Sequence, residues 1–167
     1  QNEELLEQVR EDLGLNRPIP TRYLEWLGNA LTLDLGESYI NKGQDVWGDV
    51  IVTRFPVTAQ LAVMAIGMAV ILAVPIGIVG AYREGRWQDS TTSAAVQVAL
   101  SVPNFITGIF LIWLFSVQLG WLPASNWNRA SDGLVANLKT SILPAAALAS
   151  TQMAIFSRLV RADMIAT

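Results

Sequence analysis

The sequence predicts an all-α integral membrane protein with three transmembrane helices, preceded by an external segment with short amphipathic helices. The composition is 52% hydrophobic and only 15% charged, with a mean hydropathy of +0.39. Soluble domains average about 25% charged residues. Two long stretches, 55–82 and 90–128, contain no charged residue at all. Because a helix needs about 20 apolar residues to cross the hydrocarbon core, both stretches are long enough to span it.

Residues 1–54 are expected to face water outside the membrane, as a segment distinct from the transmembrane part at 55–167. They carry 10 acidic and 5 basic side chains. The spacing of apolar residues predicts one amphipathic helix over 3–13, a second after an N-cap at Thr21, and a third over 46–54 that leads into the first span. The apolar positions of the first two helices are Leu5, Leu6, Val9, Leu13, Leu24, Leu27 and Leu31. Helices lying on the membrane surface and ordinary loop packing both fit this segment.

The first predicted span, 55–82, has a small residue at every fourth position. These residues are Ala65, Ala69, Ala73 and Gly77. The spacing puts them near one face of the helix, where a neighbouring helix can approach closely, and such faces commonly hold helices together in lipid. The alternative is an alanine-rich helix in which the spacing is incidental.

Two further spans are predicted at about 92–119 and 140–160. Pro103 lies within the second span, where a kink is tolerated if neighbouring groups satisfy the freed carbonyl group. Pro144 is expected near the start of the third span, where a proline destabilises a helix least. A polar turn at 83–89 and a loop at 120–139 connect the three spans.

A polar stripe runs along the second predicted span. It consists of Gln97, Ser101 and Asn104, followed by Gly108. Polar groups in hydrocarbon are costly unless they meet partners or water, so we expect the stripe to face other helices or a cavity. It either lines a translocation path or only holds the helices together through hydrogen bonds. The third span adds a looser polar set, namely Ser150, Thr151, Gln152 and Ser157.

The composition excludes most kinds of catalysis. The chain has no cysteine and no histidine, so it lacks thiol chemistry, the commonest metal ligand and the usual general base. We therefore expect no catalytic residue, no metal site and no cofactor. Nucleic acid is not an expected partner, because its binding needs a clustered basic face. No carboxylate or basic residue lies inside 55–82, 92–119 or the third span up to Ser157, which argues against ion coupling and against an intramembrane aspartyl protease.

The arginine distribution predicts the orientation in the membrane. Arg83 and Arg86 follow the first span, and Arg158 and Arg161 follow the third, so both pairs lie on the same side of a three-span chain. The positive-inside rule then puts 83–89 and the C-terminus in the cytoplasm, with 1–54 and 120–139 outside. An external amino terminus implies a further span upstream, so we expect this chain to be a fragment of a longer protein.

Several runs, in a consistent order, resemble one family of membrane proteins. The most distinctive is 119–125 (LGWLPAS), and a second is 101–105 (SVPNF) with Gly108. The other runs are 13–18, 23–28, 34–38, 54–58, 75–77, 83–85 with Asp89, 142–144 and 158–161. Together they resemble the permease subunits of the dipeptide, oligopeptide and nickel importers of the ATP-binding-cassette type.

That resemblance implies a six-span permease, of which this chain holds the second to fourth spans. It implies a multi-pass protein of a prokaryotic cytoplasmic (inner) membrane that moves di- or oligopeptides by alternating access, along a path lined in part by the polar stripe. The implied partners are the lipid bilayer, a second permease subunit, two cytoplasmic ATPase subunits and an external substrate-binding protein. The segment that couples to the ATPases is expected just after Thr167. Nickel or another metal complex is an alternative cargo, and a non-transport membrane scaffold is an alternative function.

Overall fold

The computed structural model describes residues 2–12, 14–38, 40–41 and 43–166. Within these residues the α-helices are, in chain order, α1 (Asn2–Asp12), α2 (Ile19–Leu31), α3 (Thr53–Tyr82), α4 (Trp87–Ser101), α5 (Asn104–Leu111) and α6 (Leu134–Ala166). Wider π-helical turns occupy Val46–Val52 and Ile112–Gln118, and a 3-10 turn occupies Ala130–Asp132. The described part of the chain contains no β-sheet, only an isolated bridge between Glu37 and Asp45. The all-α prediction is therefore confirmed.

The chain divides into two compact units, 1–57 and 58–167. In the first unit α2 begins at Ile19 and not after an N-cap at Thr21, so that prediction is wrong. The reason is Pro20, which fits the first turn of a helix because N–H groups there have no partner within the helix. Of the apolar positions predicted on α2, Leu24 and Leu31 are exposed and Leu27 is half-buried.

The other two helical segments of the first unit are α1 and the turn before α3, and the predicted apolar positions are described more fully in the turn than in α1. For α1, Leu13 and the side chains of Leu5 and Val9 lie outside the described residues, and Leu6 is exposed. The predicted helix at 46–54 is a π-helical turn over Val46–Val52, followed by α3. The apolar residues spaced for one helical face, Trp47, Val50 and Ile51, are half-buried, whereas Val52 is exposed.

Two described stretches are helical, long and apolar enough to cross a membrane: Val46–Tyr82, which contains α3, and Leu134–Ala166, which is α6. A third crossing is present if α4 and the helical stretch Asn104–Gln118 form one bent span. The helix predicted over 55–82 thus begins two residues earlier, at Thr53, and ends where it was expected.

The second predicted span is not one helix. The helices on either side of Pro103 differ in direction by 102°, so the break is much larger than the kink expected there. Its cause is local: Val102 has φ −92 and ψ 120 and Pro103 has φ −59 and ψ 141, both outside the helical region. A residue before proline avoids the helical conformation, because the proline ring clashes with its backbone.

Pro144 lies inside α6 and not near its start, so that prediction is wrong. The helix begins at Leu134 and runs for 33 residues, so it includes Lys139, the last residue of the loop predicted at 120–139. A lysine is a good helix former, so charge marks the edge of the hydrocarbon but does not end a helix. Without an N–H group, Pro144 cannot donate the hydrogen bond to the carbonyl oxygen of Thr140 that another residue would make.

Within the second unit, α6 is the helix on which the others pack. Both α4 and α5 contact it. Ala65 and Ala69 of α3 form a buried cluster with Ala149 of α6, and Met68, Met153 and Phe156 pack around that cluster. The core is therefore made of small side chains, which bring the helix backbones close together.

Candidate functional site

Two residues of the polar stripe form hydrogen bonds across to α6. The Oδ1 atom of Asn104 accepts a hydrogen bond from the Thr151 hydroxyl at 2.5 Å and a longer one from the Ser150 hydroxyl at 3.5 Å. The Oε1 atom of Gln97 accepts one from the Arg158 guanidinium at 3.1 Å. Ser101 instead donates to the backbone carbonyl of Gln97 in its own helix. The stripe thus meets the polar set of the third predicted span.

The stripe spans the break between α4 and α5. Gln97 and Ser101 belong to α4 and Asn104 begins α5, yet all three side chains are exposed in this chain. Their partners Thr151 and Arg158 are seven residues apart on α6, which is about 10 Å along the helix axis. The result is a polar column, defined here as Gln97, Asn104, Thr151 and Arg158, that is hydrogen-bonded across the helices and open on its other side.

A cavity of about 420 Å³ lies beside one end of the polar column, between α3, α4 and α6. Its polar lining consists of Thr92, Ser93, Gln97, Ser157, Arg158 and Arg161. A second cavity of about 350 Å³ lies near Gly108, Thr140 and Pro144. Ligand-binding clefts in proteins start at roughly 300 Å³, so either cavity is large enough to hold a small polar molecule or part of one.

The sequence did not predict the ion pair at the start of α4. Nε and NH2 of Arg161 donate to the two carboxylate oxygens of Asp89 at 2.7 and 2.9 Å. The same carboxylate accepts the backbone N–H of Gly85 at 3.1 Å and the Ser93 hydroxyl at 3.4 Å. Asp89 is 8% exposed. This clamp joins the turn after α3 and the start of α4 to the last turns of α6.

A buried amide network lies elsewhere along the same helices and was also missed. The Nε2 atom of Gln60 in α3 donates to the Oδ1 atom of Asn137 at 2.5 Å and to the Ser141 hydroxyl at 3.0 Å. The Nδ2 atom of Asn137 donates in turn to the carbonyl oxygen of Asn128 at 2.7 Å. Asn137 and Ser141 are buried. An isolated glutamine in an uncharged run was the signal, because such a group needs a buried partner.

The four small residues of α3 lie in the interface with α6 or beside it. Ala65 is 5% exposed, Ala69 and Ala73 are fully buried, and Gly77 is buried as well. At Gly77 an added Cβ would lie 2.7 Å from the Cβ of Val160 and 2.8 Å from the Ser157 carbonyl oxygen. By contrast, Ile71 on the opposite side is 72% exposed.

The side chains of the polar column and of the cavity beside it are suited to binding a ligand through hydrogen bonds. Within the described residues no three histidine, cysteine, aspartate or glutamate side chains come together in a way that could hold a metal ion. The polar column and its cavity offer hydroxyls, amides and a guanidinium, which bind polar and anionic groups through hydrogen bonds. The exposed surfaces of α3 and α5 are apolar, with Val63, Ile71, Phe105 and Ile109 among them, as expected of helices in lipid or against other helices.

Comparison with known proteins identifies relatives over nearly the whole chain. A putative peptide transport system permease protein of Brucella abortus (strain 2308) is 34% identical over 162 residues, which is 97% of this chain and 51% of that protein. The oligopeptide transport system permease protein AppB of Bacillus subtilis (strain 168) is 34% identical over 161 residues, 95% of this chain and 51% of AppB. OppB of Escherichia coli (strain K12), also an oligopeptide transport system permease protein, is 32% identical over 162 residues, 97% of this chain and 51% of OppB.

The chain thus spans about half the length of these curated relatives. Residues 73–167 match the family model described as the inner membrane component of binding-protein-dependent transport systems. This region contains α4, α5 and α6 and every residue of the polar column. The resemblance that the sequence runs indicated is confirmed, and a location in a prokaryotic inner membrane agrees with it. The chain belongs to the family of binding-protein-dependent transport system inner membrane components.

Proposed function

We propose that the chain forms part of the permease subunit of an ATP-driven importer of di- or oligopeptides. The observation that carries the proposal is the family match over 73–167, together with relatives named as peptide and oligopeptide permeases that align over 95–97% of the chain. The cargo class is taken from those names. The subunit performs no chemistry of its own, and ATP is hydrolysed on partner subunits.

The permease works in an assembly and spans the inner membrane several times. It pairs with a second permease subunit of the same class in the lipid bilayer, binds two cytoplasmic ATPase subunits, and receives cargo from an external substrate-binding protein. Transport is by alternating access, in which rigid groups of helices rock around a path near the middle of the membrane. The tight packing of α3 on α6 supports this, since the small side chains bring the two helix backbones into close contact.

The orientation follows from the positive-inside rule, with 1–54 and 120–139 outside and 83–89 in the cytoplasm. Gln97, Ser101 and Asn104 line the path. Their exposure in this single chain supports that role, because the open side of the polar column is free to face water and the second permease subunit. The hydrogen bonds of Gln97 and Asn104 to α6 hold the lining in position.

Peptide uptake by cells tests the proposal. In an amino-acid auxotroph that lacks its other peptide importers, the full-length gene expressed with its neighbouring transporter genes should support growth on a dipeptide that contains the required amino acid. The same strain without the permease gene should not grow on the dipeptide, although it should still grow on the free amino acid. Equal growth on the dipeptide with and without the gene would contradict the proposed function.

A further inference from the structure

Arg158 and Arg161 both line the larger cavity, but their surroundings differ. The guanidinium of Arg161 is neutralised by the carboxylate of Asp89, which it contacts through two hydrogen bonds. Among the described residues Arg158 pairs with no carboxylate, and its hydrogen-bond partner is the neutral side chain of Gln97. Among the residues that line the cavity, Arg158 is therefore the cation without a paired carboxylate.

The hydrogen bond to Gln97 orients the guanidinium of Arg158 but uses only one of its N–H donor atoms. A guanidinium has several N–H donors in a fixed fork that matches a carboxylate, and within the described residues only one atom, NH2, is engaged. The side chain is exposed on α6 and borders a space of about 420 Å³. The hydroxyls of Thr92, Ser93 and Ser157 line the same space. A cation held open beside hydroxyl groups is suited to an anionic partner.

We propose that Arg158, oriented by Gln97, forms a subsite that binds the free carboxylate of a peptide as it passes along the polar column. This rests on the proposed transport function and adds a contact by which the permease itself distinguishes cargo. The pair Asn104–Thr151 lies about 10 Å further along α6, so a short peptide can meet both pairs through its backbone and its carboxylate. Arg158 is thus a recognition residue in the path, and Gln97 is its positioning residue.

The test compares two peptides that differ only at the carboxylate. The full transporter, with its binding protein and ATPases, is reconstituted in phosphatidylcholine vesicles, and initial uptake of a peptide acid is divided by uptake of its C-terminal amide. The binding protein is the same in every assay, so a change of this ratio between permease variants reports the permease. Arg158→Gln should lower the ratio about tenfold, the effect expected for one charge-assisted hydrogen bond, while Arg158→Lys should retain most of it.

Two further variants make the comparison decisive. Gln97→Glu puts a carboxylate beside Arg158 that pairs with its guanidinium. This variant should therefore lower the ratio of acid to amide uptake as Arg158→Gln does. If Arg158→Gln does not assemble, Gln97→Glu still tests the subsite. The matched control is Arg86→Gln, which removes a positive charge from an exposed arginine in the turn between α3 and α4, outside the cavity. Its ratio should equal that of the unaltered transporter.

The outcomes separate the subsite from the function on which it rests. An unchanged ratio in Arg158→Gln and Gln97→Glu, with uptake preserved, would overturn the subsite alone. An equal loss for acid and amide, largest in vesicles containing phosphatidylglycerol, would assign Arg158 to a lipid phosphate and also overturn it. Absence of uptake for both peptides in the unaltered transporter would overturn the proposed function, and the subsite with it.

Discussion

Asp89 and Arg161 are 72 residues apart in the chain, and their side chains are joined by two hydrogen bonds of 2.7 and 2.9 Å. Gly80 lies beside this pair, and an added Cβ there would be 3.2 Å from the Cδ atom of Arg161. The aliphatic part of the Arg161 side chain therefore packs against α3 at Gly80, where α3 has no side chain. The pair fixes the last turns of α6 to the start of α4.

Asp89→Asn should lower the melting temperature of the purified permease, since it removes the carboxylate charge from a contact with Arg161, Gly85 and Ser93. Glu11→Gln is the control, because it removes a negative charge from an exposed residue that does not belong to this contact. In a double-mutant cycle, Arg161→Gln should cost much less in the Asp89→Asn background than alone. Additive effects of the two substitutions would contradict direct coupling.

Gly77→Ala should destabilise the permease, by about 1–3 kcal/mol, the usual range for inserting a methyl group into a packed interface. The added Cβ would lie only 2.7 Å from the Cβ of Val160, so α3 and α6 would have to separate. Gly67→Ala in the same helix is the matched control, because an added Cβ there meets nothing within 4 Å. Thermal unfolding in detergent measures both.

The same contrast applies to the small residues one and two turns earlier in α3. Ala69→Leu and Ala73→Leu should impair assembly, since both alanines are fully buried, whereas Ile71→Leu should be tolerated at 72% exposure. Equal tolerance at all three positions would show that the four-residue spacing of the small residues is incidental.

Asn104→Leu should lower transport more than it lowers stability if Asn104 lines the path. The matched variant is Gln60→Leu, which removes an amide that is hydrogen-bonded between α3 and α6 and lies outside the polar column. Loss of a polar contact between helices costs on the order of 0.6 kcal/mol, so Asn104→Leu should unfold near the temperature of the unaltered protein. Uptake should fall in Asn104→Leu, whereas Gln60→Leu should lower the unfolding temperature and leave uptake by the folded transporter near normal. Full uptake with reduced stability in Asn104→Leu would assign Asn104 to helix packing alone.

Cysteine labelling tests the orientation, and the chain has no cysteine of its own. Single cysteines at Gln44 and Ser131 should react with an impermeant thiol reagent in intact cells, whereas a cysteine at Glu84 should react only after the membrane is permeabilised. All three positions are exposed, so a difference in labelling reports the side of the membrane. Labelling of Glu84→Cys alone in intact cells would reverse the proposed topology.

Properties of a single helix could be read from the sequence, and contacts between helices could not. The uncharged run predicted α3 to within two residues, because apolar length is what a membrane span requires. The four-residue spacing of Ala65, Ala69, Ala73 and Gly77 indicated which face of α3 carries small side chains. It did not identify α6 as the neighbouring helix, and it gave no sign that Gln60 would bond to Asn137, 77 residues away.

The second predicted span shows where reasoning from periodicity fails. The prediction that Gln97, Ser101 and Asn104 share one face required one continuous helix. The helices before and after Pro103 instead differ in direction by 102°. Pro103 signals a break, while the size of the bend follows from the extended conformation of Val102 and from the packing of α4 and α5 on α6. The stripe nevertheless faces polar groups on α6 from both sides of the break.

We propose that this chain forms part of the path of an ATP-driven peptide importer. The most direct test of this proposal is uptake of a labelled oligopeptide into proteoliposomes that contain the full-length permease, its partner permease and both ATPases, with the binding protein outside. We expect uptake that requires ATP, the binding protein and this permease together, and that stops when any one is omitted. Peptide uptake that continues without this permease, or a complete assembly that takes up no peptide with ATP present, would contradict the proposal.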